Sequence, residues 1–188
     1  MRPIKLLLID VDDVLLVRTQ QKYDYPHFKQ GKLFCYVRPG AKEFIEACSL
    51  KYDIGIYTSM LYSNVKSILN QAFGENFILY YIDFICAREY TRLDPDYRHD
   101  PKIKSYDTVK FIDNILGSPI FNEKRKYNVE NTLLIDDSYR KVRFNDISSV
   151  IIFKAHHRFS FEREDDESVL EYPTCHSFDD ILEMLDNM

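Results

Sequence analysis

The sequence predicts an α/β fold in three layers, with a mainly parallel central sheet and helices on both of its faces. Short, continuous apolar runs that are typical of buried strands alternate along the chain with segments whose apolar residues recur at helical spacing. Strands and helices in this order form a parallel sheet between two helical layers. The 188 residues contain no linker or internal repeat, so we expect a single domain over residues 1–188.

The predicted elements follow one another in a regular order. Continuous apolar runs predict core strands at Leu6–Asp10, Asp53–Ser59, Phe77–Arg88, Asn131–Ser138 and Ser149–Phe153. Apolar residues at helical spacing predict helices after Gly40, before Gly74, over Ser105–Leu116 and after Ser177. Ser177 and Asp180 have the spacing of a capping box, which marks the start of the last helix.

Two inserts are expected between these elements. Residues 17–37 are polar and aromatic, contain Pro26 and Gly31, and indicate a flap-like hairpin near the end of the first strand. Residues 75–103 form a second, short insert. Neither insert is long enough for a large independent cap domain, so we expect an open site.

Composition excludes several classes of function. The net charge of -5 argues against a domain that grips a nucleic-acid backbone, and we expect no nucleic-acid partner. The N-terminus has neither a signal peptide nor a membrane span, so we expect a soluble protein without a membrane partner. The four cysteines are widely spaced and indicate reduced thiols in a cytoplasmic type of compartment: Cys35, Cys48, Cys86 and Cys175.

Reactive side chains follow three of the predicted strands. They are Asp10 and Asp12, Thr58 and Ser59, and Asp136 and Asp137. In an open parallel sheet, ligands bind beyond the carboxyl ends of the strands, so these side chains are expected to meet there. Carboxylates within an apolar run need a partner, and Mg²⁺ is a cation that prefers oxygen ligands and is often held together with a phosphate.

The same residue types suit phosphoryl transfer. Asp10 has the chemistry to attack phosphorus and form an aspartyl-phosphate. Asp12 has the chemistry to protonate the leaving oxygen and later to activate water. The hydroxyl of Thr58 and a lysine ammonium would hold the phosphoryl oxygens.

The segment "DVDDV" at Asp10–Val14 resembles the DxDx[T/V] signature of haloacid dehalogenase-type phosphatases. The chain is most similar to the subgroup of FCP/SCP-like phosphatases, which resemble RNA polymerase II C-terminal-domain phosphatases and are also called NLI-interacting-factor-like. Four features within residues 5–153 carry this resemblance: "LLIDVDDVLL", "RPGAKEFIEACSLKYDIGIYTS", the lysine region before the last motif, and "ENTLLIDDSYRKV". The resemblance implies the Rossmann-like core of that superfamily, without a large cap domain.

The resemblance also implies roles for the site residues. Asp10 would be the nucleophile, Asp12 the general acid and base, and Thr58 a phosphate ligand. Magnesium would be bound by Asp10, by the main-chain carbonyl of Asp12 and by Asp137, with Asp136 as a further ligand or a support. Lys104 fits the lysine of the third motif best, and Lys110 and Lys102 are its rivals. Relatives commonly have Glu-Thr where this chain has Asp13 and Val14, so their specificity is not carried over.

These features predict a Mg²⁺-dependent phosphatase whose substrate is a phosphorylated protein. Phosphotyrosine and phosphoserine or phosphothreonine both stay open, because the aromatic residues of the hairpin suit either an aromatic substrate ring or the hairpin's own core: Tyr23, Tyr25, Phe28, Phe34 and Tyr36. One alternative is a phosphatase for a small phosphate ester or a nucleic-acid end. A second alternative is an inactive phosphopeptide-binding module. The oligomeric state is not predicted.

Two further expectations concern the setting of the protein and the end of the chain. A chain that resembles eukaryotic phosphatases and is rich in Ile, Lys and Asn is compatible with a bacterial effector that enters a host cell without a cleaved signal and acts on host signalling proteins. His156 and His157 are expected to be surface residues, because adjacent side chains on a strand point apart. The acidic run Glu162–Ser168 is expected to be a solvated loop.

Overall fold

A parallel sheet of six strands forms the centre of the described part of the chain. The computed structural model describes residues 4–123, 126–154 and 172–188. The strands are β1 Leu6–Ile9, β5 Asp53–Tyr57, β6 Phe84–Cys86, β9 Thr132–Asp136, β10 Val150–Phe153 and β11 Thr174–Cys175. Their order in the sheet is β11-β10-β9-β1-β5-β6, and every neighbouring pair is parallel. The predicted α/β class with a mainly parallel sheet is confirmed.

Helices cover both faces of this sheet. They are α1 Ala41–Ser49, α2 Tyr62–Phe73, α3 Glu75–Tyr81, α4 Ile112–Leu116, α5 Tyr139–Val142 and α6 Phe178–Asp186. Alternate residues of β1 enter different apolar clusters: Leu7 packs with residues of α1, α2 and α6, whereas Leu8 packs with residues of α4 and α5. A strand buried on both faces is continuously apolar, which is why the pattern of β1 was readable in the sequence.

The predicted hairpin insert is a separate antiparallel sheet. It consists of β2 Leu16–Thr19, β3 Phe28–Gln30 and β4 Leu33–Val37, in the order β2-β4-β3. The turn between β3 and β4 contains only two residues, and Gly31 takes the positive φ of 58° that such a tight turn requires.

The expected strand over Phe77–Arg88 is wrong in its first half. Residues Glu75–Tyr81 form α3, and only Phe84–Cys86 forms a strand. In α3, Phe77 is buried whereas Tyr80 is 80% exposed, so the apolar run is a surface helix with one buried side. Periodicity alone does not separate a short helix from a strand when both are apolar.

The expected helix over Ser105–Leu116 is also shorter than predicted. Thr108–Val109 form β8, which pairs antiparallel with β7 Arg92–Leu93, and α4 begins only at Ile112. Asn145 fixes this change of direction, because its side chain accepts a hydrogen bond from the Ile112 N–H and donates one to the carbonyl oxygen of Lys110. A long-range contact of this kind is invisible in local periodicity.

The start of the last helix is confirmed. Ser177 accepts a hydrogen bond from the backbone N–H of Asp180, and the carboxylate of Asp180 accepts one from the backbone N–H of Ser177. The expectations for His156 and His157 and for Glu162–Ser168 lie outside the described residues. None of the helices that the structure describes has the length and apolar character needed to cross a membrane.

Gly55 in β5 allows a close approach that a larger residue would prevent. A Cβ atom at this position would lie 2.4 Å from the Phe84 ring and 2.9 Å from Leu8. We therefore expect Gly55→Ala to lower the free energy of unfolding by about 1–3 kcal/mol, because overpacking strains the core. Chemical denaturation measures this change, and an unchanged free energy would show that β5 and β6 pack less closely than described.

Candidate active site

The polar ends of β1, β5 and β9 meet at one edge of the central sheet. β1 lies between β9 and β5, in a parallel register that sets Ile9 opposite Ile135. The backbone N–H of Asp10 continues this pairing and donates to the Ile135 carbonyl oxygen, at an N···O distance of 2.9 Å. Asp10 therefore lies between the strand ends that carry Asp136 and Thr58, as the sequence predicted.

A buried lysine joins Asp10 to Asp136. Lys110 Nζ lies 2.9 Å from Asp10 Oδ2 and 2.5 Å from Asp136 Oδ2, and all three side chains are at most 1% exposed. Asp10 Oδ1 accepts a hydrogen bond from the backbone N–H of Val11. Asp136 Oδ1 accepts one from the backbone N–H of Ser138. Charges can be buried here because each of them has a partner of opposite sign.

The structure places the expected Lys104 outside this cluster and its rival Lys110 inside it. Lys102 and Lys104 are both exposed, and Lys104 Nζ lies over the ring of Tyr106, 5.6 Å from its centroid. Lys110 reaches the cluster because its backbone N–H donates to the carbonyl oxygen of Lys141, which fixes the end of β8 beside α5.

Lys141 is a second lysine of the cluster, and sequence reasoning missed it. Its Nζ lies 3.5 Å from Asp10 Oδ2 and 3.7 Å from Asp137 Oδ1. Burial would by itself lower the pKa of Lys141, but the carboxylates of Asp10 and Asp137 outweigh burial and raise it. The available signal was the spacing of four residues between Asp137 and Lys141, which places both on one side of a helical turn.

Three carboxylates of the cluster have the arrangement of a metal site. Oxygens of Asp10, Asp136 and Asp137 all lie within 4.8 Å of one another. Within the described part of the chain, Asp137 Oδ1 is buried and accepts no hydrogen bond, and the buried Asp10 Oδ2 is contacted by the ammonium groups of Lys110 and Lys141. Both oxygens of Asp136 are engaged, by Ser138 and by Lys110. The residues therefore fit a divalent cation at Asp10 and Asp137, with Asp136 holding the lysine.

The surroundings shift the pKa values of the three carboxyl groups in different directions. Burial would raise the pKa of Asp10, but the ammonium groups of Lys110 and Lys141 outweigh it and lower that pKa. Burial raises the pKa of Asp136 to about 7, although Lys110 opposes the shift. Burial likewise raises the pKa of Asp137, and Lys141 offsets only part of this effect. Asp10 is thus the carboxyl group most readily kept as an anion, which a nucleophile requires.

Asp12 lies at the more open side of the site and is held by the hairpin. Its side chain is 26% exposed, and Arg18 of β2 donates to both of its oxygens. Arg18 also donates to the side chain of Gln30 in β3, at 3.1 Å. A planar guanidinium suits a carboxylate in this two-point geometry. Sequence reasoning did not predict Arg18, because the partner of Asp12 depends on how the hairpin folds back.

A second arginine shapes the loop after Asp12. Asp13 has a φ of 60°, a left-handed conformation that Asp adopts more easily than most residues. Arg38 is buried and donates from Nε and Nη2 to the carbonyl oxygen of Asp13, at 3.2 and 2.9 Å. These hydrogen bonds fix the turn that follows Asp12.

The structure brings the predicted hydroxyl to the same edge. Thr58 directly follows β5 and is 1% exposed. Its Oγ1 accepts a hydrogen bond from the backbone N–H of Met60, at 3.3 Å. The neighbouring Ser59 hydroxyl accepts a hydrogen bond from Thr108. A hydroxyl that accepts a bond keeps its own hydrogen, so the Thr58 hydroxyl is able to donate to a phosphoryl oxygen.

Two arginines, in and just after α5, bind the segment of residues 88–109, which includes β7 and β8. Arg143 donates to the buried carboxylate of Asp94 and to Asp96. Arg140 donates to Asp107, at 3.0 Å. These ion pairs connect the segment that delivers Lys110 to the helical turn that delivers Lys141.

The cysteines lie apart from this chemistry. All four are buried and free. Burial raises the pKa of Cys48 to about 12 and that of Cys175 to about 11. Thiols of such high pKa are poor nucleophiles.

Comparisons with solved structures support the fold. Fcp1, an essential RNA polymerase II CTD phosphatase, matches with a TM-score of 0.52 and 15% identity over 80% of this chain and 41% of the Fcp1 chain. Fission yeast Fcp1 bound to beryllium fluoride matches with a TM-score of 0.52 and 13% identity over 98% of this chain and 50% of the other. This chain therefore spans half or less of the Fcp1 chains.

A bacterial structure matches over its full length. The putative haloacid dehalogenase-type hydrolase YfnB of Bacillus subtilis, solved with bound magnesium, has a TM-score of 0.56 and 12% identity over 98% of this chain and 100% of the other. A search of curated proteins found no match.

A sequence profile identifies the family. The profile described as NLI interacting factor-like phosphatase matches residues 5–182. This range covers nearly the whole chain and includes every residue of the carboxylate–lysine cluster. The chain therefore belongs to the NLI interacting factor-like phosphatase family.

Proposed function

We propose that the protein is a Mg²⁺-dependent phosphatase that removes phosphate from side chains of proteins through an aspartyl-phosphate on Asp10. The observation that carries this proposal is the buried Asp10 carboxylate between the ammonium groups of Lys110 and Lys141. A carboxylate whose pKa is lowered by two lysines is an anionic nucleophile, and the ammonium groups beside it are suited to bind phosphoryl oxygens.

In the first step, an oxygen of Asp10 attacks phosphorus and the bond from phosphorus to the ester oxygen breaks. Asp12 donates a proton to that leaving oxygen, and the product is a free hydroxyl group. Since Arg18 donates to both oxygens of Asp12, one of these oxygens must part from the guanidinium before it can carry the proton. Lys110 and the Thr58 hydroxyl hold the transferred phosphoryl oxygens.

In the second step, Asp12 accepts a proton from water, and the water oxygen attacks phosphorus. The bond between phosphorus and Asp10 breaks, which restores both aspartates and releases inorganic phosphate. Asp10 and Asp137 would hold the Mg²⁺, together with the Asp12 carbonyl that the family resemblance implies. When bound, Mg²⁺ supplies positive charge that offsets the negative charge of the phosphoryl group.

The shape of the site favours a substrate that reaches in from outside. Asp10 is 1% exposed, whereas the side chains of Asp12 and Lys141 are 26% and 22% exposed. The floor of the site is thus buried and its entrance partly open, which suits a phosphorylated side chain on a protein, including a host signalling protein if the chain is a bacterial effector.

The hairpin aromatics leave the identity of the target residue open. The Tyr36 hydroxyl accepts a hydrogen bond from the Tyr23 backbone N–H, and the two rings meet edge to face at 5.7 Å. His27 also packs against Phe34 and Tyr36. These rings contact one another within the hairpin, so they do not favour phosphotyrosine over phosphoserine.

Hydrolysis of matched phosphotyrosine and phosphoserine peptides tests the function directly. We expect phosphate release from at least one peptide, and Asp10→Asn should lower the rate by at least about a thousandfold, because an amide is a poor nucleophile. The fold of the variant is checked by circular dichroism. If neither peptide reacts but a small phosphate ester does, the protein-phosphatase proposal fails; peptide binding without any turnover would indicate a binding module.

Metal removal tests the cofactor. We expect EDTA to abolish phosphate release and added Mg²⁺ to restore it, because Asp10 Oδ2 and Asp137 Oδ1 otherwise face the phosphate without a divalent counter-charge. Rates are measured with the better peptide before and after dialysis against EDTA. Undiminished turnover in EDTA would rule out the metal role.

Paired lysine variants test which lysine serves the reaction. Lys110→Met should lower kcat about a hundredfold or more, because it removes a buried ammonium that contacts Asp10. Lys104→Met should leave the rate within about twofold, because Lys104 is exposed. The reverse pattern, in two variants with native circular dichroism spectra, would show that Lys104 and not Lys110 serves the reaction.

A further inference from the structure

Lys141 contacts the two carboxylate oxygens that suit a metal ion best. Its Nζ lies 3.5 Å from Asp10 Oδ2 and 3.7 Å from Asp137 Oδ1. Within the described residues, Asp137 Oδ1 accepts no hydrogen bond, and Asp10 Oδ2 also contacts the ammonium of Lys110. Both distances exceed those of a charge-assisted hydrogen bond, so the ammonium is held there by charge and not by directed bonds.

The two lysines of the cluster differ in how firmly they are held. Lys110 is 0% exposed and has a separate counter-ion, because its Nζ lies 2.5 Å from Asp136. The Lys141 side chain is 22% exposed, and its ion pairs in the described part of the chain are with Asp10 and Asp137. Lys141 can therefore leave toward solvent, whereas Lys110 cannot.

We propose that Lys141 is an internal counter-cation that neutralises Asp10 and Asp137 in the metal-free protein and competes with Mg²⁺ for these two carboxylates. The inference rests on the magnesium site of the proposed function. Beyond that function, it proposes that a residue of α5 competes with the metal for its ligands.

The distances in the site would bring a bound Mg²⁺ close to the ammonium of Lys141. Mg²⁺ binds carboxylate oxygens at about 2.1 Å. An ion on Asp10 Oδ2 would thus lie within about 6 Å of the present position of Lys141 Nζ, and two cations repel each other strongly at that distance in a partly buried site. Either the lysine withdraws or the metal binds more weakly. The flexible side chain and partial exposure of Lys141 make withdrawal feasible.

The same ammonium explains how the cluster is tolerated without metal. Removal of Lys141 would leave Asp10 with Lys110, which Asp136 already shares, and would leave Asp137 without its lysine. Uncompensated buried carboxylates destabilise a fold. The lysine is thus expected to stabilise the metal-free protein and to weaken its affinity for metal.

Isothermal titration with Mg²⁺ tests the competition in the purified full chain after treatment with EDTA. We expect Lys141→Gln to bind Mg²⁺ at least about tenfold more tightly than the wild type, because one repelling charge is gone. Lys66→Gln is the matched control, since it removes an exposed charge of α2 and should leave the affinity unchanged. Unchanged or weaker binding by Lys141→Gln, or no binding by either protein, would overturn the proposal.

Thermal unfolding gives a second readout that a merely structural lysine would not produce. Lys141→Gln should unfold at a lower temperature than the wild type in EDTA, and Mg²⁺ should raise its midpoint by more than it raises that of the wild type. If the variant does not fold in EDTA, refolding by millimolar Mg²⁺ would support the proposal, and failure to refold would refute it. Neither readout depends on turnover, so failure of the phosphatase proposal would be seen separately in the peptide assay.

Discussion

The contact between Lys110 and the carboxylates of Asp10 and Asp136 is the constraint on which the rest of the site depends. All three groups are almost fully buried at the edge of the central sheet. Burial of one such charge alone would destabilise the fold by several kcal/mol, so the strand ends and the segment that carries Lys110 must stay in contact in the folded protein. This requirement explains why Asn145 and the backbone contact to Lys141 fix the path of the chain on either side of Lys110.

Around this buried cluster, three arginines hold the neighbouring segments in place. Arg18 fixes the Asp12 carboxylate to the hairpin, Arg38 fixes the backbone of Asp13, and Arg143 holds the 88–109 loop through Asp94. Each uses the planar guanidinium to make two or more hydrogen bonds at once. The flexible ammonium groups are kept for positions next to Asp10, where the phosphoryl group must be accommodated. Arginines thus hold the segments around the site in place, and lysines line its centre.

The sequence was most informative where the chain is buried and regular. Strands β1, β5, β9 and β10 were predicted because residues buried on both faces form continuous apolar runs. Asp10 and Asp136 could be placed together because the ends of parallel strands share one edge. Lys110 could not be chosen over Lys104, since the choice depends on where α4 begins, and the side chain of Asn145 decides that over a long distance. Arg18 was missed because its contact with Asp12 depends on how the hairpin folds back, whereas Lys141 carried a local signal in its spacing of four residues from Asp137.

The charges of the cluster indicate different roles for its two lysines. Lys110 and Asp136 form a buried pair of their own, which leaves two negative charges on Asp10 and Asp137 and one positive charge on Lys141. Without a metal, the site therefore keeps a negative charge that repels a phosphate. A divalent cation in place of Lys141 would balance the two carboxylates, and with Lys141 still nearby it would leave one positive charge to attract a phosphate dianion. A lysine that is held by charge alone, at a partly exposed position, is thus suited to move between a carboxylate pair and an arriving phosphate.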